Sequence, residues 1–377
     1  MDSLPTEIVL VVLELLPKTT LCTASTLNKS FHHLSRPLLY KSIHVDRLDA
    51  FIQCCRALIR SPDAAACVLE LELLLDISSS PIVDVFPAFK RLITNALKNL
   101  HSLKSLHIGW DAPLLSILDG CTFPNLTNLS SVLQLYPDPE PMRSFLIRHP
   151  LIKYVCISGE HSNLSLHQGN LAEGVDDLPH RANHHPLAPA GAFHLPAGAL
   201  PNLASFTGSR LFAPIFIPGR PVNNVSLAWK ASDGFTGSSM LHIVSALANS
   251  SKPVESITCY GTDWPMGLVL SLPYACTSLK ELKLVKCKGP QEGEHFSDDY
   301  ERLNFAFDVV LRHLPSLTTL EMPRIPSISS PMSEDLEKAS LDSWRRYECG
   351  LESVVFPSGA QWQRPSKIGG EWRRLGP

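Results

Sequence analysis

The chain has 377 residues, a formal net charge of −3 and 18% charged residues, where about a quarter is usual for a globular protein. Its length accommodates two or three ordinary domains or one solenoid, and its near-neutral balance without a basic run excludes electrostatic binding to nucleic acid. Thirty-one prolines point to many short elements separated by turns, and ten cysteines without a C-x-x-C pair read as free thiols of a reducing compartment.

The opening stretch predicts a helix from about Pro5, since proline suits a first helical turn and Glu7 places negative charge at the positive end of the helix dipole. Ile8, Val12, Leu15 and Leu16 share a face, while Val9, Leu10, Val11 and Leu13 leave much of the other face apolar. A short helix that is apolar nearly all round needs two partners. Pro17 stops it. A second helix is predicted from about Thr20 to Leu34, with Leu21, Ala24, Leu27, Phe31 and Leu34 on a stripe, and RPLLY ends the segment as a short apolar hook. Ile8 to Leu16 has the length of a signal-peptide core, but Asp2 and Glu7 replace the positive charges such a peptide needs, and Glu14 interrupts it. The run also falls short of the roughly 20 apolar residues that cross a bilayer.

This segment resembles the F-box, the motif by which substrate receptors of cullin-type ubiquitin ligases attach to their Skp-family adaptor. Leu4, Pro5, Glu7 and Ile8 match its opening, Asn28, Lys29, Ser30 and Phe31 its central run, and Leu39 and Tyr40 its close. Phe31 and Tyr40 stand where Trp is usual, and Asn28 where Cys is frequent. The resemblance implies an adaptor-binding set of Leu4, Pro5, Ile8, Leu16, Pro37, Leu38 and Tyr40. It also implies a cullin reached through the adaptor and a cytoplasmic or nuclear location.

Asp46 is placed to cap a connecting helix in which Leu48, Phe51, Ile52, Cys55 and Leu58 share a face. From Val68 one phrase returns: an aliphatic, two free residues, an aliphatic, one free residue and a third apolar. Clear copies begin at Val68, Leu103, Ile152, Val222, Val254, Leu279, Leu317 and Leu351, with weaker ones at Leu126 and Leu203. Between them lie helical stripes: Phe89, Leu92, Ile93, Ala96, Leu97 and Leu100; Leu241, Val244, Leu247 and Ala248; Tyr300, Leu303, Phe307, Val310, Leu311 and Leu314. Strand and helix alternating every 30 or so residues is the pattern of a solenoid whose units bury their faces against neighbours. It resembles an irregular leucine-rich repeat of the F-box protein type, and an ordinary α/β domain with parallel strands is the other architecture the pattern allows.

The expected fold is thus α/β, with an F-box over residues 1–45, a connecting helix over 46–66, a leucine-rich-repeat-like solenoid with parallel strands over 67–356, and a cap or tail over 357–377. From Ser158 to Pro201 the rhythm fails, and the stretch reads as a mobile insertion. Its histidines, His161, His167, His180, His184, His185 and His194, have no Cys and no helix to hold them in register, so a solvated loop is expected rather than a zinc site. Trp362 and Trp372 are expected to fold back over the last repeat. Trp110 and Trp229 should point inward by strand parity.

No nucleophile elbow, zinc-helix, P-loop or dinucleotide motif is present, so neither catalysis nor a cofactor is expected. The free positions of the repeat form one outward sheet face: Glu70, Glu72, Ser105, His107, Tyr154, Cys156, Asn224, Ser226, Ser256, Thr258, Glu281, Lys283, Thr319 and Glu321. Mostly small and uncharged, that face suits a protein or peptide partner. Tyr154, Tyr260, His107 and Lys283 are the candidate target-binding residues, the two tyrosines as aromatic anchors. The functional expectation is the non-catalytic, target-recognising subunit of an SCF-type ubiquitin ligase. The alternative is a repeat scaffold outside the ubiquitin system.

Overall fold

The computed structural model describes residues 5–74, 87–109, 115–132, 140–158, 194–229, 237–261, 266–286, 296–322, 334–347, 350–365 and 370–375. The chain divides into two compact units, residues 1–152 with 156–200 and residues 153–155 with 201–377. Leu4, Trp110 and all of the insertion from residue 159 to 193 lie outside the described residues.

The first unit opens with three helices, α1 (Thr6–Glu14), α2 (Lys18–Ser25) and α3 (Lys29–Tyr40). The Pro5 carbonyl starts α1 by accepting the amides of Ile8 and Val9 at 3.0 and 3.2 Å. Leu13, Leu21 and Ala24 are buried at the centre, and Val9, Leu16, Phe31, Leu34, Leu38 and Leu39 pack around them. Each fully buried leucine contributes roughly 1.5–3 kcal/mol of hydrophobic stabilisation, which is what holds so short a bundle together.

Two expectations for this segment are corrected. The helix foreseen over Thr20 to Leu34 is two helices, because the Asn28 side chain accepts the Phe31 amide at 2.9 Å and so caps a new helix. RPLLY is no hook either. It continues α3 to Tyr40 with Pro37 inside the last turns, where the chain gives up one backbone hydrogen bond while Leu34, Leu38 and Leu39 stay on the core.

A four-residue strand missed by the sequence reading follows at once. β1 (Ser42–Val45) pairs in parallel with β2 (Glu70–Leu73), which pairs with β3 (Ser105–Ile108), and that with β4 (Asn128–Val132). Between β1 and β2 run α4 (Leu48–Arg60) and α5 (Pro62–Ala65), and the helix Pro87–Lys98 precedes β3. Asp46 does not cap α4: the helix starts after Arg47, which instead holds Asp49 of the first turn through two hydrogen bonds of 3.2 and 3.0 Å. The extended run of β1 carries the backbone past Asp46 before it can turn helical.

In the second unit β6 (Ser205–Ser209), β7 (Asn224–Trp229), β8 (Ser256–Gly261), β9 (Glu281–Lys286), β10 (Thr319–Glu321) and β11 (Ser353–Val355) are parallel and in chain order. β5 (Tyr154–Ser158) lies where the chain divides. After β11 the chain turns at Gly359, whose φ of 84° is open to glycine, into the antiparallel β12 (Gln361–Gln363) and β13 (Arg373–Leu375).

One hydrogen-bond pattern explains the recurring phrase. The carbonyl just before each strand accepts two successive amides from the next repeat: Lys104 and Ser105 to Leu69, Thr127 and Asn128 to Lys104. In the second unit the same geometry recurs at Ala204, Asn223, Glu255, Lys280 and Thr318, at 2.7 to 3.2 Å. The aliphatic at the start of each phrase sits beneath this bend and is buried at every copy, the weak ones at Leu126 and Leu203 included.

Helices cover the inward rows. Phe206 stacks on Phe216 at 5.6 Å, Trp344 lies between Phe307 and Phe356, and Trp229 is buried as strand parity requires. Fully buried Glu337 accepts from the Trp362 indole at 2.8 Å and from the Ser358 hydroxyl, tying β12 to the last helix. Trp372 stays partly exposed. One stripe is corrected: in the helix Gly237–Ala248 the buried residues are Met240, Ile243, Ala246 and Leu247, and Leu241 is 70% exposed. Leu247 is shared by both readings, but the inward face is turned toward Ile243 because that is where the neighbouring repeats leave space. Among the described residues no helix is long and apolar enough to cross a membrane.

Candidate functional site

Two surfaces carry candidate function, and neither resembles a reaction centre. The first is on α1. Its inner side, Val9, Leu13 and Leu16, is sealed against α2 and α3. Its outer side presents Ile8, Val11, Val12 and Leu15, spaced i, i+3, i+4 and i+7, with Leu15 81% exposed and the others at least half exposed. Leu27, between α2 and α3, adds a fifth uncovered aliphatic at 65%. Solvent-facing rows of this kind on a small helical bundle are the mark of a surface another polypeptide covers.

The adaptor-binding residues inferred from sequence divide between these two sides. Pro5 and Ile8 lie on or beside the uncovered row, and Pro37 is exposed on the last turns of α3. Leu16 and Leu38 turn inward onto the Leu13 and Leu21 core. Tyr40 lines a cavity of about 290 Å³ with Lys18, Leu39, His44 and Cys54, where the Lys18 ammonium donates to the Ser42 carbonyl at 2.6 Å. Val11, Val12, Leu15 and Leu27 were not among the adaptor-binding residues inferred from sequence. The helical spacing contained Val11, but apolar residues on every side of α1 gave no way to tell an inner from an outer row.

The second candidate surface is the outward row set of the sheets. In the first unit the registered residues His44, Glu72 and His107 form a chain: Glu72 Oε2 lies 2.7 Å from His44 Nδ1, and Oε1 lies 3.0 Å from His107 Nδ1. An ionised carboxylate only accepts, so each Nδ1 carries the proton in that pairing. In the second unit the Lys283 ammonium lies 2.7 Å from Glu321 Oε2 on the neighbouring strand, and the Ser256 hydroxyl donates to Glu281 at 3.0 Å. Tyr260 sits two residues further along β8 than the Thr258 that faces Lys283, half-buried beside Ala228 and Val285. Tyr154 is 51% exposed. The face is therefore less bland than its composition: Glu72 and Lys283 are engaged across strands, and Glu281 accepts a hydroxyl.

Buried titratable groups behave as core. Burial pushes the thiols of Cys259 and Cys276 up to about 12, and those of Cys54 and Cys121 up to about 11, so all four keep their protons at neutral pH and are poor nucleophiles.

Comparison with known proteins gives a family match for the opening segment alone. Residues 1–46 match the F-box-like family. Among solved structures the chain is similar to a leucine-rich repeat-containing protein of Legionella pneumophila, with 17% identity and a TM-score of 0.38 over 76% of this chain and 73% of that one. No curated protein matches it.

Proposed function

We propose, from the premise that residues 1–46 form an F-box-like domain, that this protein is the target-recognising subunit of an SCF-type ubiquitin ligase. The N-terminal helices dock on a Skp-family adaptor, which connects the protein to a cullin. The sheet faces hold a target protein while other subunits transfer ubiquitin. The observation that supports this reading best is the uncovered row of Ile8, Val11, Val12 and Leu15 on a helix whose other side is already sealed. Had the helices merely capped the repeats, that row would be spent on the chain's own core. Leu4, Pro5, Pro37 and Tyr40 are proposed as further adaptor contacts, and Leu16 and Leu38 as the packing that holds α1 and α3 in place beneath the row.

Co-purification with a recombinant Skp-family adaptor tests the proposal. Val12→Asp with Leu15→Asp should lower adaptor capture at least about tenfold, since truncating a single interface anchor already costs about 1–2 kcal/mol. Both positions are exposed, so the melting temperature should stay close to that of the unaltered protein. Wild-type capture by the double variant would show that the docking row is elsewhere. Failure of the unaltered protein to hold adaptor at all would leave a repeat scaffold outside the ubiquitin system.

A further inference from the structure

The second unit's outward face says which chemistry its target carries. Registered across β7 to β11, one row reads Asn224, Ser256, Glu281, Thr319 and Ser353, the next Ser226, Thr258, Lys283, Glu321 and Val355, and a third Ala228, Tyr260 and Val285. Hydroxyls and an amide dominate the first two rows, and the third is apolar. Among the described residues of these rows Lys283 is the sole cation, and Glu321 engages it at 2.7 Å. At the foot of the same strands Lys280 is likewise held by Glu255 at 2.9 Å. Among the described residues the next cation in register with these rows is Arg373 of β13, two strands beyond β11.

Recognition of a phosphorylated segment needs the opposite arrangement: arginines or lysines whose donors converge on one anion and are not spent on carboxylates. Here two carboxylates face one ammonium, so a phosphate arriving on the face meets net negative charge and must displace Glu321 to reach Lys283. Resting on the reading of this sheet as the target-binding surface, we infer that the target is recognised through an unphosphorylated, near-neutral polar segment. Its Ser, Thr, Asn or Gln groups exchange hydrogen bonds with the first two rows, and an aliphatic or aromatic residue lies against Tyr260. Tyr260 sets the apolar end of the site, and the Lys283–Glu321 pair excludes charged competitors.

The test uses the full-length protein on an array of synthetic peptides rich in Ser, Thr, Asn, Gln and Gly with one Leu, Val or Tyr. Each peptide is also made with one phosphoserine, and again with Lys and Arg replacing two polar residues. The unphosphorylated neutral set should be retained best, with phosphorylation weakening retention at least about tenfold, as like charges at an interface do. Raising NaCl from about 50 to about 300 mM should change retention of the neutral set by less than about threefold, because a near-neutral segment offers little charge to screen. Tyr260→Ala should abolish the preference for the apolar residue, and Glu321→Gln, which frees the Lys283 ammonium, should raise phosphopeptide retention. Preferential retention of phosphorylated or basic peptides by the unaltered protein, or no retention of any set, overturns the inference. Adaptor capture measured on the same preparation keeps its failure separate from that of the docking proposal.

Discussion

His149 shows how much a single buried side chain can set. It lies between the rings of Phe123 and Phe145, 2% exposed, and both of its nitrogens are committed: the Phe123 amide donates to Nε2 at 2.9 Å, and Nδ1 donates to the Phe145 carbonyl at 2.6 Å. Nε2 is an acceptor, so the ring must be neutral, and burial pushes its pKa below the ordinary value near 6.5. The unfolded chain therefore takes up a proton first as pH falls. Stability contributed by the neutral ring is complete above about pH 6.5 and is lost below it, at up to about 1.4 kcal/mol per pH unit. Urea midpoints measured between about pH 7.5 and pH 5 should fall with pH, and His149→Gln should be less stable at pH 7.5 but flatter in its pH response. Parallel slopes would mean that another group titrates. Nothing in the sequence marked His149: Phe145 is four residues back, but the Phe123 amide that fixes Nε2 as an acceptor comes from 26 residues away.

At the scale of elements, the boundary between α2 and α3 rests on Asn28. Its side chain is the single capping acceptor for the Phe31 amide, and Asn28→Ala should cost about 1 kcal/mol, seen as a lower melting temperature. Asn28→Asp should retain the cap, so equal losses in both variants would assign the effect to something other than the hydrogen bond. The stripe through Leu21, Ala24, Phe31 and Leu34 read as one helix because the break preserves the apolar period. The cap was visible only as an asparagine. The repeats were far more legible, since each phrase places an aliphatic under a bend whose carbonyl binds two amides of the following repeat, and burial at those positions leaves little freedom. Helix faces were less so: Leu241 and Ile243 are both aliphatic, and only the neighbours select which is buried.

For the whole molecule, β1 binds the helical segment to the repeats more closely than the sequence suggested. The strand falls inside the stretch first assigned to the F-box, yet its four residues pair with Glu70 to Leu73 and cover an edge of the sheet that would otherwise be open. A fragment beginning at residue 42 should remain soluble and cooperative on denaturation. One beginning at residue 47 exposes the edge of β2 and should aggregate at lower concentration, as judged by light scattering. Equal behaviour of the two fragments would show that β1 is dispensable.

The order of repeats, the buried row of each strand and the doubly apolar character of α1 were all determined by the amino-acid sequence, because each depends on spacings of two to four residues along one element. Tertiary structure alone decided which row of α1 stays uncovered, and that Glu72 sits between two histidines and Lys283 against Glu321. The row of α1 is set by how α2 and α3 pack on it, and the two pairings depend on the register between strands some 28 to 38 residues apart in sequence. Side chains that far apart meet only after the intervening helix has packed, and that packing is a property of the whole fold.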